Sequence, residues 1–87
     1  MKDRNKFLEL AKKGVVTVEF RKIDTQELRI MPCTLNNKLS NGKVPESMNQ
    51  NVNNDEFAVW SLDKNAWRGF RASTVEDWYE GYPKEES

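Results

Sequence analysis

The sequence predicts a mainly β, small α+β domain: a strongly bent antiparallel barrel of four to five short strands, preceded by a helix and ending in a short helical turn. Two observations carry this prediction. Apolar and polar residues alternate with a period of two in several short segments, and turn-forming residues separate those segments. The length of 87 residues allows one domain with a thin core, because domains of this size bury only about 60–65% of their unfolded surface.

The N-terminal segment from Asp3 to Lys13 is predicted to form a helix. Apolar residues recur there at helical spacing, with charged residues between them. Asp3 is placed to cap the first turn, and Gly14 stands where a left-handed residue commonly ends a helix. We expect the apolar stripe to cover the sheet rather than bind a partner; it consists of Phe7, Leu8, Leu10 and Ala11.

A first hairpin is predicted from two alternating segments, Val15–Ile23 and Glu27–Thr34. The turn between them is centred on Asp24 and Thr25. Pro32 has no N–H to donate to a neighbouring strand, so it marks an edge, a bulge or the end of the second strand. A strand that bends over a bulge is what a small closed barrel requires.

A long mobile loop is predicted over residues 36–56. The segment is dense in Asn, Ser, Gly and Pro, and its apolar residues stand isolated. Such a composition cannot bury enough surface to offset the entropy lost on ordering. A disordered insertion without a role and a binding loop are equally compatible with this composition.

A second hairpin is predicted from Phe57–Trp60 and Trp67–Arg71, with Asp63, Lys64 and Asn65 in the turn. Two structures then remain open for the segment around Val75. One is a helical turn capped by Ser73 or Thr74, with Val75, Trp78 and Tyr79 facing the sheet, and the other is a final short strand.

This order of helix, hairpin, loop, hairpin and terminal turn is typical of a small barrel of the SH3 or Sm type. We expect the helix over residues 1–14, the barrel over residues 15–80 and a flexible acidic tail over residues 81–87.

The composition argues against several chemistries. The chain has no histidine and one cysteine, Cys33, so we expect neither a zinc site nor a cysteine nucleophile activated by histidine. The four glycines are scattered and form no phosphate-binding loop. We therefore expect no catalytic residue, metal or cofactor. A free thiol, together with the lack of a long apolar run and of a signal peptide, is typical of a cytoplasmic protein without a membrane span.

Charge is distributed unevenly along the chain. Residues 1–45 carry ten Lys or Arg and five Asp or Glu, a net of +5, and residues 46–87 carry four and nine, a net of −5. Attraction between the two halves of one fold explains this pattern, and a basic face for a polyanion is the alternative. The net charge of zero argues against strong non-specific DNA binding, which needs many phosphate contacts.

The second predicted hairpin carries the clearest indication of a binding site. Arg71 is expected on the outer face, on the same side as Trp67, with Gly69 leaving bare backbone between them. An arginine beside an indole can hold an anion and stack an attached ring. Arg68 and Trp60 complete this candidate site. The alternative is that the arginines pair with local carboxylates while the tryptophans pack at the barrel rim.

A second group of candidate cations lies near the first hairpin and consists of Arg21, Lys22 and Arg29. The predicted turn would make Arg21 and Arg29 direct or diagonal cross-strand neighbours, where like charges repel. A bound anion would relieve that repulsion, and so would the glutamates that interleave with these cations.

Four segments resemble the WYL domain: VVTVEFRK from Val15, RIMPCTL from Arg29, FAVWSLD from Phe57 and WRGFR from Trp67. They are most similar to the short, stand-alone WYL-like proteins of tailed bacteriophages, which have an Sm-like SH3 barrel. The similarity covers residues 15–78. The Arg-x-Phe-Arg strand of the family is kept as Arg68–Arg71, whereas the Trp-Tyr-Leu triplet is altered around Trp60.

This resemblance implies a ligand-sensing or nucleic-acid-binding regulatory module, working in the host cytoplasm. The helix-turn-helix that often accompanies such modules is not expected, because the predicted N-terminal helix is single. Our hypothesis is a non-enzymatic module that binds a single-stranded nucleic acid or a nucleotide. The alternative is a protein-interaction module that docks on a host or phage protein complex by strand addition.

Overall fold

The computed structural model describes residues 1–45 and 55–83. Within these ranges a helix, α1, is followed by five strands and a 3-10 turn. The elements are α1 (Arg4–Lys13), β1 (Val15–Arg21), β2 (Leu28–Thr34), β3 (Glu56–Ser61), β4 (Ala66–Arg71), the 3-10 turn (Ala72–Thr74) and β5 (Val75–Glu80). Neighbouring strands are antiparallel, and their order across the sheet is β4-β3-β2-β1-β5. The predicted mainly β architecture with an N-terminal helix is confirmed.

The connection between β4 and β5 forces the sheet to curl. These strands lie at opposite edges of the sheet, yet only the three residues of the 3-10 turn join them. In a flat sheet four strand spacings would separate them by about 19 Å. The four Cα–Cα steps across the turn span at most about 15 Å when fully extended. The two edges must therefore approach each other, and the sheet bends into a barrel.

The helix ends differently from the prediction. The Asp3 carboxylate accepts a hydrogen bond from the backbone N–H of Lys6, so the predicted N-cap is confirmed. Gly14, however, has a φ of −174°, which is extended, and the predicted left-handed C-cap is wrong. The reason is that β1 begins at the next residue, so the chain passes directly into a strand. The Thr34 hydroxyl lies 2.7 Å from the Gly14 carbonyl oxygen and fixes this junction to the end of β2.

The first hairpin forms as predicted, with seven residue pairs between β1 and β2. Pro32 lies inside β2, and its carbonyl oxygen accepts a hydrogen bond from the N–H of Leu62 at 2.9 Å. Among the described residues, β2 pairs with β3 only at Cys33 and Thr34, so Pro32 stands where that pairing begins. The pairing of β1 with β2 has no register shift at Pro32, so the alternative of a bulge there is wrong. A register shift occurs between β1 and β5, at Glu19 and Phe20.

The first part of the predicted mobile loop is held by hydrogen bonds. Val44 is fully buried, and its backbone N–H donates a hydrogen bond to the Ser40 hydroxyl at 3.0 Å. The side-chain amide of Asn37 donates to the Val44 carbonyl at 2.8 Å. Val44 is therefore part of the core, contrary to the expectation of an isolated apolar residue. The mobility of the segment stays a prediction, and residues 46–54 lie outside the described residues.

The segment around Val75 forms a strand. β5 pairs with the free edge of β1, from Val16 opposite Glu80 to Phe20 opposite Val75. The strand alternative is confirmed and the helix over these residues is wrong, because a helix there would leave that edge of β1 unpaired. The N–H of Gly81 still donates to the Val15 carbonyl, so the chain remains bonded to β1 one residue beyond the predicted barrel boundary.

The core centres on Phe7 of α1, which is fully buried. Its ring stacks on Phe57 at 6.1 Å and meets the edges or faces of Phe70 at 6.0 Å and Trp78 at 5.3 Å. The helix thus covers the barrel, as predicted from its apolar stripe. At ten residues, α1 is too short to cross a membrane, and no helix in the described ranges meets that requirement.

Among the described residues, three ion pairs connect the basic first half of the chain to the acidic second half. They are Lys2–Asp77 at 2.8 Å, Arg21–Glu76 at 2.7 Å and Arg29–Asp63 at 2.8 Å. This geometry favours the interpretation that the uneven charge distribution acts within one fold.

Candidate functional site

An open groove of about 710 Å³ lies between the tip of the β1–β2 hairpin and the paired ends of β3 and β4. We call it the hairpin groove. It combines three kinds of side chain among the described residues: the phenylalanines Phe20, Phe57 and Phe70, the cations Arg21, Lys22 and Arg71, and the carboxylates Asp24 and Glu56. Ile23, Ala58, Gly69 and Thr74 complete the lining. Volumes of about 300–1,000 Å³ are typical of small-molecule sites.

The aromatic rings of the groove continue the core. Phe57 and Phe70 face each other across β3 and β4, with ring centroids 5.8 Å apart and planes at 87°. Phe20, at the end of β1, stacks on Phe70 at 5.5 Å with an interplanar angle of 24°. Phe57 and Phe70 are buried, whereas Phe20 is half-buried. Phe20 is therefore the ring at the boundary between core and groove.

Small residues keep the groove open beside these rings. Ala58 pairs with Gly69 on the rung next to Phe57 and Phe70. A Cβ added at Gly69 would meet only the Phe57 carbonyl oxygen, at 3.6 Å, which is an ordinary contact. The backbone does not need glycine here, and what its presence provides is space above the strand.

The three cations of the groove differ in how closely they pair with carboxylates. The Arg21 guanidinium lies 2.7 Å from Glu76 and donates to the Gln26 carbonyl at 3.2 Å. Arg71 is half exposed and lies 3.3 Å from Glu56 and 3.9 Å from Asp55. Lys22 is exposed and makes no ion pair within residues 1–45 and 55–83.

Asp55 fixes the strand ends that carry Arg71. Its carboxylate accepts hydrogen bonds from the side-chain hydroxyl and the N–H of Ser73, both at 2.9 Å. Its carbonyl accepts from the N–H of Ala72 at 2.6 Å. The bonds from Ser73, with a smaller contribution from the positive charges of Arg71 and Arg4, lower the pKa of Asp55. Asp55 therefore caps the 3-10 turn. The helical alternative predicted Ser73 or Thr74 as the cap instead.

The family model described as WYL_2, Sm-like SH3 beta-barrel fold, matches residues 5–75. The chain belongs to the WYL_2 family. The matched region runs from α1 to the first residue of β5 and contains the hairpin groove. The predicted resemblance and the Sm-like SH3 fold are confirmed. Neither the curated proteins nor the solved structures that were searched give a match.

In this WYL_2 domain, Trp67 and Arg71 lie on one face of β4, as predicted, because the register between β3 and β4 has no shift. Trp67 pairs with Trp60, and their rings meet edge to face at 5.8 Å. This pair lies two rungs beyond Ala58 and Gly69, outside the lining of the groove.

Besides the two tryptophans, two further predicted site residues, Arg68 and Arg29, lie outside the lining of the groove. Arg68 is exposed and donates to the carbonyl of Trp67 at 3.0 Å. Arg29 lies opposite Phe20, while Arg21 lies opposite Leu28, so the two arginines point to opposite faces. The cross-strand proximity predicted for Arg21 and Arg29 is therefore wrong.

Arg29 instead pairs with Asp63 of the β3–β4 turn. Burial acts to raise the pKa of Asp63, but hydrogen bonds from Ser61 and Arg29 outweigh it and lower that pKa. Both partners are partly buried, so the pair connects β2 to the turn.

The sequence pattern did not predict the aromatic lining of the groove. Phe20, Phe57 and Phe70 are absent from the predicted site, because strand alternation does not indicate which segments meet in space. The signal that could have found the groove is Gly69 beside Phe70, in a strand position where glycine weakens pairing unless space is needed.

The WYL_2 chain shows no cluster of three or more His, Cys, Asp or Glu side chains placed to hold a metal, within the described ranges. Cys33 is fully buried, and burial together with the charge of Asp63 raises the pKa of its thiol to about 12. A thiol in this environment stays protonated at neutral pH and is a poor nucleophile.

Proposed function

We propose that this WYL_2 domain is a non-enzymatic binding and regulatory module that holds a nucleotide or a nucleic-acid strand in the hairpin groove. One observation carries the proposal: Arg21, Lys22 and Arg71 line the same groove as three phenylalanines. A ligand with a flat ring and an anionic group needs both kinds of contact, because ring burial and charge attraction act on the same molecule. The phage setting and the host cytoplasm, which the sequence resemblance implies, belong to this proposal.

The two parts of such a ligand have distinct contacts. A flat ring would lie against Phe20, in the groove that Ala58 and Gly69 also line. The anionic group would then reach Lys22 or Arg71 at the rim. A ligand anion could replace Glu56 as the partner of Arg71 at a small cost in free energy, since exposed ion pairs contribute only about 0.2–1 kcal/mol.

Amide NMR titration of the full chain tests this proposal. The titrants are single-stranded RNA, single-stranded DNA and free nucleoside monophosphates, at low and moderate salt. We expect saturable shifts of the amides of Phe20, Lys22 and Gly69. Lys64→Ala is a matched control, because Lys64 is an exposed lysine in the β3–β4 turn, away from the groove. No response to any titrant at high micromolar concentration would contradict the proposal.

A protein-interaction module is the second candidate, and exposed apolar side chains of the first hairpin favour it. Ile23 is 64% exposed, and Leu28 and Ile30 are about two-fifths exposed. Apolar residues grouped on a surface commonly mark contacts with other proteins. Capture of host lysate proteins on the immobilised chain, with and without nuclease, separates the candidates. A stoichiometric protein that survives nuclease and is lost with Ile23→Ser and Leu28→Ser would favour docking.

A further inference from the structure

We infer that the hairpin groove selects a small, free ligand with one flat ring and one compact anionic group, and that Lys22 contacts that group. The inference rests on the proposed function and narrows it, because it excludes a long single strand as the preferred ligand. Three features of the groove carry it: its charge, the rigidity of the hairpin tip, and the spacing between Phe20 and Lys22.

The charges that line the groove limit how many anionic groups a ligand can place in it. Arg21 is held by Glu76 at 2.7 Å, and Arg71 faces Glu56 and Asp55. Lys22 is thus the groove cation that has no carboxylate partner within the described residues. A strand running through the groove would bring several phosphates past these carboxylates, whereas a single anionic group can sit at Lys22 alone. Single-strand binding proteins instead follow the backbone with a continuous positive surface.

The hairpin tip holds the backbone of Lys22 in a fixed position. The N–H of Lys22 donates to the Glu27 carbonyl at 2.9 Å, and its carbonyl accepts from the N–H of Gln26 at 2.8 Å. The preceding residue is fixed as well, because Arg21 binds both Glu76 and the Gln26 carbonyl. Only the side chain of Lys22 remains to be ordered by a ligand, so the entropy cost of forming its contact is confined to that side chain.

Phe20 and Lys22 are spaced for a compact ligand. Phe20 is the penultimate residue of β1 and Lys22 directly follows its last residue, Arg21, so about 7 Å of extended chain separates them. Phe20 is backed by Phe70 at 5.5 Å and is half-buried, so its ring is held in place. A ring lying on Phe20 therefore has its attached acid within reach of the Lys22 ammonium.

Isothermal titration of the full chain tests the inference with three probes: 5′-AMP, uncharged adenosine and an oligodeoxyadenylate strand. We expect 5′-AMP to bind up to about fivefold tighter than adenosine, the upper end of what one exposed ion pair contributes. Lys22→Ala should abolish that difference by weakening 5′-AMP alone, and Lys64→Ala should leave all affinities unchanged. The salt dependence of 5′-AMP binding should correspond to about one ionic contact.

The outcomes separate this inference from the proposed function. An oligonucleotide that binds more than about tenfold tighter than 5′-AMP, with a salt slope of several phosphates, overturns the inference and supports the proposed function in its nucleic-acid form. Equal affinity for 5′-AMP and adenosine, or a normal affinity of Lys22→Ala for 5′-AMP, also overturns it. Binding of none of the probes overturns the inference and the proposed function together.

Discussion

Arg71 is a half-exposed surface residue that lines the hairpin groove. Its side chain is half exposed, and its carboxylate neighbours are themselves accessible to solvent. We predict that Arg71→Ala weakens binding of 5′-AMP, because it leaves the Glu56 carboxylate in the groove without its cation. The free energy of unfolding should change by about 0.5 kcal/mol or less, as for surface substitutions generally. Urea unfolding and calorimetric titration of the same samples measure the two effects. An unfolded variant would show that Arg71 is instead an essential structural ion-pair partner.

Phe70, the preceding residue, has the opposite role. It is 5% exposed and contacts the rings of Phe7, Phe20 and Phe57. We predict that Phe70→Ala lowers the free energy of unfolding by about 3 kcal/mol, the usual cost of removing a core aromatic ring. Urea unfolding monitored by circular dichroism gives this value. A loss below 1 kcal/mol, on the order of an exposed position, would contradict the central place of this ring.

Cys33 makes stability depend on pH in the alkaline range. Its thiol pKa is raised from 9.0 to about 12, so the unfolded chain releases the proton at a lower pH than the folded chain. The stabilising difference is complete below pH 9 and is lost as the pH rises from 9 towards 12. By pH 10.5 the loss should be about 2 kcal/mol relative to pH 8.

The Cys33→Ala variant isolates this effect. Every other effect of pH is common to both proteins, whereas ionisation of the Cys33 thiol occurs in the wild type alone. Urea unfolding at pH 8 and 10.5 should therefore show a smaller loss of stability in the variant by about 2 kcal/mol. The same loss in both proteins would mean that Cys33 ionises as easily in the folded chain as in the unfolded one.

At the scale of elements, Gly69 in the β3–β4 hairpin affects the space in the groove more than the stability of the fold. Its missing side chain leaves the groove open, and an added Cβ meets only ordinary contact. We predict that Gly69→Val keeps or raises the unfolding midpoint, because β-branched residues suit strands. The same change should weaken 5′-AMP and adenosine alike, since it fills the space for the ring. Thermal unfolding and calorimetry measure both; unchanged affinity for both ligands would place the ligand away from Gly69.

Strand alternation and turn chemistry predicted four of the five strands and the outer position of Arg71 from the sequence. These signals are local, and each acts within one hairpin. Local signals did not predict the conformation of Gly14 or the strand β5, because both depend on contacts with residues distant in the chain. The extended Gly14 leads into β1, and β5 forms on an edge of β1 about 60 residues earlier.

At the scale of the whole molecule, the groove could not be predicted because three separate segments form it. Phe20 and Lys22 come from the tip of the first hairpin, Phe57 comes from β3, and Gly69 and Phe70 come from β4. The sequence identified Arg21, Lys22 and Arg71 as candidates, but only barrel closure brings them to one groove. Val44 was missed for a related reason, since a single apolar residue in a polar segment has no periodicity.

The closure of the barrel by β5 has a consequence for the order of events during synthesis. β1 pairs with β2 at one edge and with β5 at the other. A chain leaves the ribosome from its N-terminus, so α1, β1 and β2 emerge long before Val75–Glu80. Until β5 arrives, β1 presents an unpaired edge, the kind of surface on which nascent chains associate. Pairing of β5 with β1 is thus the step that covers this edge in the newly made domain.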